Sequence, residues 1–274
     1  MTRICIWRRA VVSAAFVSTF VVAPTSAVAL STHSATDTSQ NSNGYSVATA
    51  KCGAGEHVVS GGFNGSDGGH AVVSRAVHGD SWTVHLAPGH VETLTTYAYC
   101  ARKGRISTHK KQVTGVAQPA NTTATARCAS GQTLVSGGYA LLADPTASPQ
   151  NGSPVYSDYA SARGWRVTVA FYNVPADLAA FAYCERGVQV KIRSRSSDPI
   201  PDKGIDSVKA SCHRGETLLS GGYTTTPKPD YADTSGPDLF YYASHRAGPR
   251  SWTASAHNYS SVAGRITAFA YCKP

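Results

Sequence analysis

Three nearly identical phrases dominate the chain: KCGAGEHVVSGGF at 51–63, RCASGQTLVSGGY at 127–139 and SCHRGETLLSGGY at 211–223. Each opens on a cysteine. Each is answered downstream by a second shared phrase that ends on one: TYAYC at 96–100, AFAYC at 180–184 and AFAYC at 268–272. The chain has seven cysteines, of which Cys5 lies in the N-terminal segment ahead of an apolar run. The other six admit many pairings, but a threefold repeat selects Cys52–Cys100, Cys128–Cys184 and Cys212–Cys272, one staple per repeat. With only about 50 to 60 residues between its cysteines, a unit has a marginal core without covalent help. Closing a loop of that size is worth roughly 4 kcal/mol in the chain-entropy model. Metal binding is the rival use of cysteine, but no Cys-x-x-Cys knuckle occurs, so no metal or cofactor is expected.

The residues between the two phrases alternate with a period of two, the mark of half-buried strands. Trp82, Trp165 and Trp252 precede the closing cysteines by 18, 19 and 20 residues, within runs such as Trp82-Thr-Val84-His-Leu86 and Trp165-Arg-Val167-Thr-Val169. The closing phrase sets Tyr97 and Tyr99, Phe181 and Tyr183, or Phe269 and Tyr271 on one face and Ala98, Ala182 or Ala270 on the other. Helical periodicity is absent. The expected fold is all-β: three homologous, disulfide-stapled antiparallel repeats of about five strands each, sandwich-like or arranged with pseudo-threefold symmetry. Gly61-Gly62, Gly137-Gly138 and Gly221-Gly222 lie inside strand-like runs, where glycine weakens a strand unless the backbone needs it. A bulge, or another backbone passing close by under the Trp ring, explains the pair. A phosphate-cradling loop does not, because neither a helix start nor a Lys-[Ser/Thr] follows.

The N-terminus sets the expected compartment. Arg3, Arg8 and Arg9 precede a short apolar run at 11–23, and PTSAVA ends in an Ala-x-Ala site at Ala27-Val28-Ala29. This pattern is that of a cleaved secretory signal peptide, and the run is too short for a comfortable permanent span. No later stretch is apolar enough to cross a membrane. A secreted, extracellular protein is expected, in a compartment where disulfides persist. The expected organisation is a signal peptide at 1–29, a flexible Ser/Thr-rich linker at 30–44, and repeats at 45–103, 119–187 and 206–274. Removing the signal's three arginines lowers the net charge from +9 to +6. That charge favours acidic polymers but is too modest to argue nucleic-acid binding.

The segments between the landmarks vary, and binding residues concentrate in such loops. The inserts NGSDGGH (64–70), LLADPTASPQNGSP (141–154) and TTTPKPDYADTSGPD (224–238) are flanked by Tyr156, Tyr159, Tyr231, Tyr241 and Tyr242. Exposed tyrosines there would form a sugar-stacking platform. Asn64, Ser66 and Asp67 read as a Gly-rich turn rather than a calcium site. Two basic stretches follow the first two closing cysteines: Arg102, Lys103, Arg105, Lys110 and Lys111, then Lys191, Arg193 and Arg195. In VQVKIRS the charges alternate with apolar residues, which describes an edge strand with its charges in water. As a binding strip the same residues would take an anionic glycan or wall polymer.

Enzyme signals are weak. HGDSW at 78–82 brings His, Asp and Ser together in sequence, but a triad is assembled in space, and neither a Gly-x-Ser-x-Gly elbow nor a His-Glu-x-x-His helix occurs. His70, His78, His85 and His90 crowd repeat one without metal spacing. The Cys-x-x-Gly…Gly-Gly-aromatic…Trp…Tyr-Cys pattern over residues 45–274 resembles repeats of secreted actinobacterial proteins that carry no assigned activity. The resemblance implies compartment and fold only. The expected function is therefore a secreted, non-catalytic repeat protein that binds an extracellular or cell-surface polysaccharide or anionic wall polymer. The alternatives are a structural or protein-interaction component of an envelope or spore, or an extracellular hydrolase.

Overall fold

The computed structural model describes residues 30–37, 45–65, 69–87, 93–114, 120–143, 154–162, 164–171, 176–227 and 237–274. The signal-peptide region 1–29 lies outside them. Eighteen strands and no helix occur among the described residues. Repeat one carries β1 (Ser31–Asp37), β2 (Ser46–Lys51), β3 (His57–Gly65), β4 (His70–Val77), β5 (Ser81–Ala87) and β6 (Leu94–Ala101). Repeat two carries β7 (Ser107–Val113), β8 (Ala120–Arg127), β9 (Gln132–Ala143), β10 (Val155–Ser161), β11 (Gly164–Phe171) and β12 (Ala176–Arg186). Repeat three carries β13 (Lys191–Ser196), β14 (Ile205–Ser211), β15 (Thr217–Thr226), β16 (Leu239–Gly248), β17 (Ser251–Asn258) and β18 (Arg265–Lys273).

Each repeat thus has six strands, not five. The additional strand comes from the stretch ahead of the opening cysteine, including part of the segment 30–44 expected to be a flexible linker. β1, β7 and β13 pair along β6, β12 and β18. A side-chain clamp reinforces each pairing and accounts for the Glu or Gln of the repeated phrase. Glu56 accepts from the Gly53 amide at 3.1 Å and from His33 Nε2 at 3.0 Å. Gln132 accepts from the Ala129 amide at 3.2 Å and contacts His109 Nε2 at 2.9 Å. Glu216 accepts from the His213 amide at 2.8 Å and from Arg193 Nη2 at 2.7 Å. The last of these, led by the Arg193 hydrogen bond, holds the Glu216 carboxyl down at about 2.

The eighteen strands form three six-stranded antiparallel sheets, and every sheet joins halves of two repeats. One runs β1-β6-β3-β16-β17-β14, the second β7-β12-β9-β4-β5-β2 and the third β13-β18-β15-β10-β11-β8. Repeat one shares a sheet with three, two with one, and three with two. The repeats therefore close a ring around a pseudo-threefold axis. Within each repeat the two halves pack face to face, and the disulfide crosses between them. Cys52–Cys100, Cys128–Cys184 and Cys212–Cys272 form as the repeat predicts, with Cα separations of 5.8, 5.8 and 5.7 Å.

The repeated SGG is the device that closes this ring. The ladder skips Val59, Val135 and Leu219, each bulged immediately before the serine. The carbonyls freed there are taken in cyclic order around the axis. Ser60 Oγ donates to Leu219 O at 2.7 Å, Ser220 Oγ to Val135 O at 2.6 Å, and Ser136 Oγ to Val59 O at 2.5 Å. All three serines are buried, where an unmatched polar group is costly.

The two glycines of each pair do different work. A Cβ on Gly61, Gly137 or Gly221 would overlap the ring of Trp82, Trp165 or Trp252 in the same repeat. A Cβ on Gly62, Gly138 or Gly222 would overlap the backbone carbonyl of Ser244, Ser74 or Asp158 in the adjoining repeat. The first admits the indole and the second admits the neighbour's strand. The adjoining strands share only two residue pairs per junction, for example Ala243↔Asn64 and Ser244↔Phe63. Where they part, the tyrosine of the closing phrase takes over. Tyr99, Tyr183 and Tyr271 accept the amides of Arg246, Ala76 and Ala160 at 2.8, 2.8 and 2.7 Å. The same rings meet Trp252, Trp82 and Trp165 edge-on at 5.7, 5.6 and 5.5 Å.

Candidate polymer-binding surface

The register that builds each junction also lines up one row of side chains across each sheet. In the third sheet Ser194 faces Phe269, Phe269 faces Gly222, Gly222 lies against the Cα of Tyr159, and Tyr159 faces Arg166. In the second sheet the row is Lys110, Phe181, Gly138, Arg75 and Thr83. In the first it is Ser34, Tyr97, Gly62, His245, Thr253 and Lys209. The bare glycine lets the side chains on either side meet across it. Tyr159 stacks on Phe269 at 5.1 Å, the Arg75 guanidinium lies over Phe181 at 5.5 Å, and His245 tilts against Tyr97 at 5.3 Å. All six are half-buried, so each pair keeps part of its surface in water. Burial raises the Tyr97 pKa and lowers that of His245, which keeps both neutral at neutral pH.

Each row also carries a cation: Arg166 in the third sheet, the exposed Lys110 in the second and the exposed Lys209 in the first. Beside Tyr159 the third sheet is rich in hydroxyls, and a cleft of about 110 Å³ is lined by Thr123, Ser157, Arg166, Thr168 and Thr224. A ring face, hydroxyl partners and a guanidinium are the groups that hold a sugar ring bearing an acidic substituent.

The tyrosines expected to form a platform separate into different roles. Tyr159 belongs to the row. Tyr156 and Tyr241 do not: both are buried at 2 % exposure, with Tyr156 Oη donating to Asp238 Oδ1 and Tyr241 stacked on Tyr223 at 3.8 Å. Their burial has a local cause. The ladder bulges at Tyr156 itself, which shares parity with the inward Asp158, and at Tyr242, a bulge that turns Tyr241 to the inward face. Tyr231 lies outside the described residues, as do Ser66, Asp67 and His90.

The basic residues are likewise divided. Lys191 and Arg195 are exposed on the edge strand β13, while Arg193 is held by Glu216. Arg102 lies 3.7 Å from Glu56, and Lys103 is exposed just beyond β6. Lys110 faces Phe181 and Lys111 faces Ala180 across β7 and β12. In HGDSW, Asp80 accepts from Ser81 Oγ at 2.8 Å and pairs with Lys51 at 3.4 Å beside a turn at His78 and Gly79.

Sequence reasoning missed Arg75, His245, Arg166 and the outward role of Tyr97, Phe181 and Phe269. The available signal was the second glycine of each pair, which needs a neighbour close by and therefore marks the junction. No protein-family model matches the chain, and no curated protein matches it significantly.

Proposed function

We propose that the protein is a secreted, non-catalytic binder of a repetitive extracellular polymer, a polysaccharide or an anionic wall polymer, engaged at its three repeat junctions. The observation that supports this reading is the recurrence of one row, a half-buried aromatic paired across glycine with Tyr159, Arg75 or His245, on all three sheets. Core packing does not require these rings to reach water. A ring of three related sites matches a ligand that repeats, because linked sites multiply weak contacts into avidity. The modest positive charge and the cation in each row favour an acidic polymer over a neutral one.

The test is retention of the oxidised protein on wall preparations with and without their anionic polymer, and on chitin and cellulose, compared with Tyr97→Ala, Phe181→Ala and Tyr159→Ala. Each single variant should weaken retention about tenfold or more, and the triple variant should abolish it. A folded triple variant retained like the wild type would overturn the reading. Retention of the wild type on none of these materials would move the role to a structural or protein-interaction one.

A further inference from the structure

The three junctions share a framework but not a chemistry, and three departures converge on one cavity. His57 faces Ala101 where the corresponding positions of the other repeats are Thr133, facing Glu185, and Thr217, facing Lys273. Arg75 stands where the others have Tyr159 and His245. Ser107 faces Cys184 as Lys191 faces Cys272, so Arg105 corresponds to Gln189. All three line a cavity of about 590 Å³ between repeats one and two, together with Ile106, Phe181 and Tyr183. An adjoining cavity of about 890 Å³ shares Arg105 and continues past Lys103 and Arg186, with Glu185 and Gln132 on its wall.

We propose that this groove is a phosphodiester-binding subsite for a polyol-phosphate or sugar-phosphate polymer. The inference rests on the polymer-binding reading above and supplies the ligand class for one of its three junctions. Two groups without a partner carry the argument. His57 Nε2 is buried without a hydrogen-bond partner, a state that native structures avoid unless a ligand or water completes it. Arg105 forms no ion pair among the described residues. Arg75 is the third side chain, and its guanidinium is held over Phe181.

Three nitrogen-bearing side chains, on β3, on β4 and in the segment ahead of β7, suit an anion that offers several oxygens in a tetrahedron better than a flat carboxylate with two. The cations continuing into the outer cavity, Lys103 and Arg186, offset Glu185 and suit a chain carrying charge at intervals. The groove presents one half-buried phenyl ring, Phe181, shared with Arg75, and no succession of aromatic platforms for stacked bases, so a phosphate polymer without bases fits better than a nucleic acid. The junction of repeats three and one places its arginine one residue further along, at the position of Ala76, where its Nη2 is engaged internally while its Nε is buried without a partner. Arg246 donates to Leu218 O at 2.6 Å and lies over Tyr99.

The test measures binding of the oxidised, full-length mature protein to a glycerol-phosphate oligomer, a phosphate-free oligosaccharide and single-stranded DNA of matched charge. The wild type is compared with the His57→Thr/Arg105→Gln double variant, which takes residues the other repeats already accommodate and leaves the three outer-face rows untouched. The wild type should bind the glycerol-phosphate oligomer with an affinity that falls steeply with salt. The double variant should lose about tenfold or more of that affinity while its affinity for the phosphate-free oligosaccharide is unchanged. Equal affinity of variant and wild type for the oligomer would overturn the proposal. So would DNA binding as tight as the oligomer, or binding no tighter than to the phosphate-free oligosaccharide. Variant-sensitive oligomer binding with no retention on wall glycans would sink the outer-face reading and leave the phosphate subsite standing.

Discussion

Replacing Asp158 with serine should change how stability depends on pH. Asp158 occupies the position that is Ser74 in repeat one and Ser244 in repeat three, and all three side chains accept the indole N–H of their repeat's Trp. Serine does so as a neutral group. Asp158 is only 7 % exposed, and burial pushes its carboxyl up to about 8 against the Trp165 hydrogen bond that pulls it down. Tyr139, Tyr183, Tyr223 and Tyr271 surround it, and burial raises their own pKa values, so none titrates in the same range.

An acid with a raised folded pKa contributes stability that is complete below its unfolded pKa, about 3.9, and is lost as pH rises through the folded value. Between these limits the folded state holds a proton that the unfolded state has released, so stability falls by about 1.4 kcal/mol per pH unit. Over the interval up to about 8 the ceiling is about 5 to 6 kcal/mol, reduced by any relaxation that lets water reach the carboxylate. His70 opposes this. Burial lowers its pKa to about 4, so in moderate acid the unfolded chain binds the extra proton and stability rises with pH until about 6.5. Burial also lowers the pKa values of His85 and His245, which add to the rise in moderate acid, so the decline from near neutrality to about pH 8 is the part of the wild-type profile that Asp158 sets.

Guanidinium unfolding of wild type and Asp158→Ser at a series of pH values isolates the aspartate, because His70 and every other group are common to both. Loss of the carboxylate's packing adds a constant offset. The diagnostic is the slope of the difference, which should grow in favour of the variant by up to about 1.4 kcal/mol per unit. A difference that does not vary between pH 5 and 9 would refute the placement of a buried, protonated carboxyl beside Trp165.

The remaining expectations concern the ring itself. Ser60→Ala leaves the Leu219 carbonyl buried without its donor and should cost about 1 to 3 kcal/mol in denaturant unfolding, with Ser136→Ala and Ser220→Ala costing similar amounts. Gly137→Ala drives a methyl into the Trp165 ring and should cost at least about 1 to 3 kcal/mol, read as a lowered melting temperature or failure to accumulate as folded protein.

How much of this was legible depends on the range of the interaction concerned. Cys52–Cys100 and its two counterparts were readable because the pairing follows from repetition alone. The need for a close approach at Gly61-Gly62 was also readable, since a glycine pair inside a strand pattern demands a neighbour. That Gly62 meets Ser244, far away in repeat three, was not, because nothing local encodes which repeat supplies the strand. Tyr241 is turned inward by the bulge at Tyr242, and Tyr156 is itself a bulged residue, neither of which local sequence announces. β1 and β7 escaped notice because STHSATD and STHKKQV are edge strands with little apolar alternation, whereas VQVKIRS, which runs into β13, read as an edge strand. All three are held by backbone pairing and by the clamps from Glu56, Gln132 and Glu216.

The repetition also separates what the fold requires from what it merely permits. Where all three repeats agree, as in the axial serines, the glycines under the Trp rings and the cysteines, the shared residue has a contact that the ring needs. Where one repeat departs, the other two demonstrate that the framework closes without that residue. Asp158 departs inside the core, where serine would satisfy Trp165 at no electrostatic cost, and its consequence falls on stability. His57, Arg75 and Arg105 depart together, on β3, on β4 and ahead of β7, and around one opening. Three independent changes around the same cavity, two of which add a guanidinium and one an imidazole, and none of which serves the ring, point to a ligand rather than to folding.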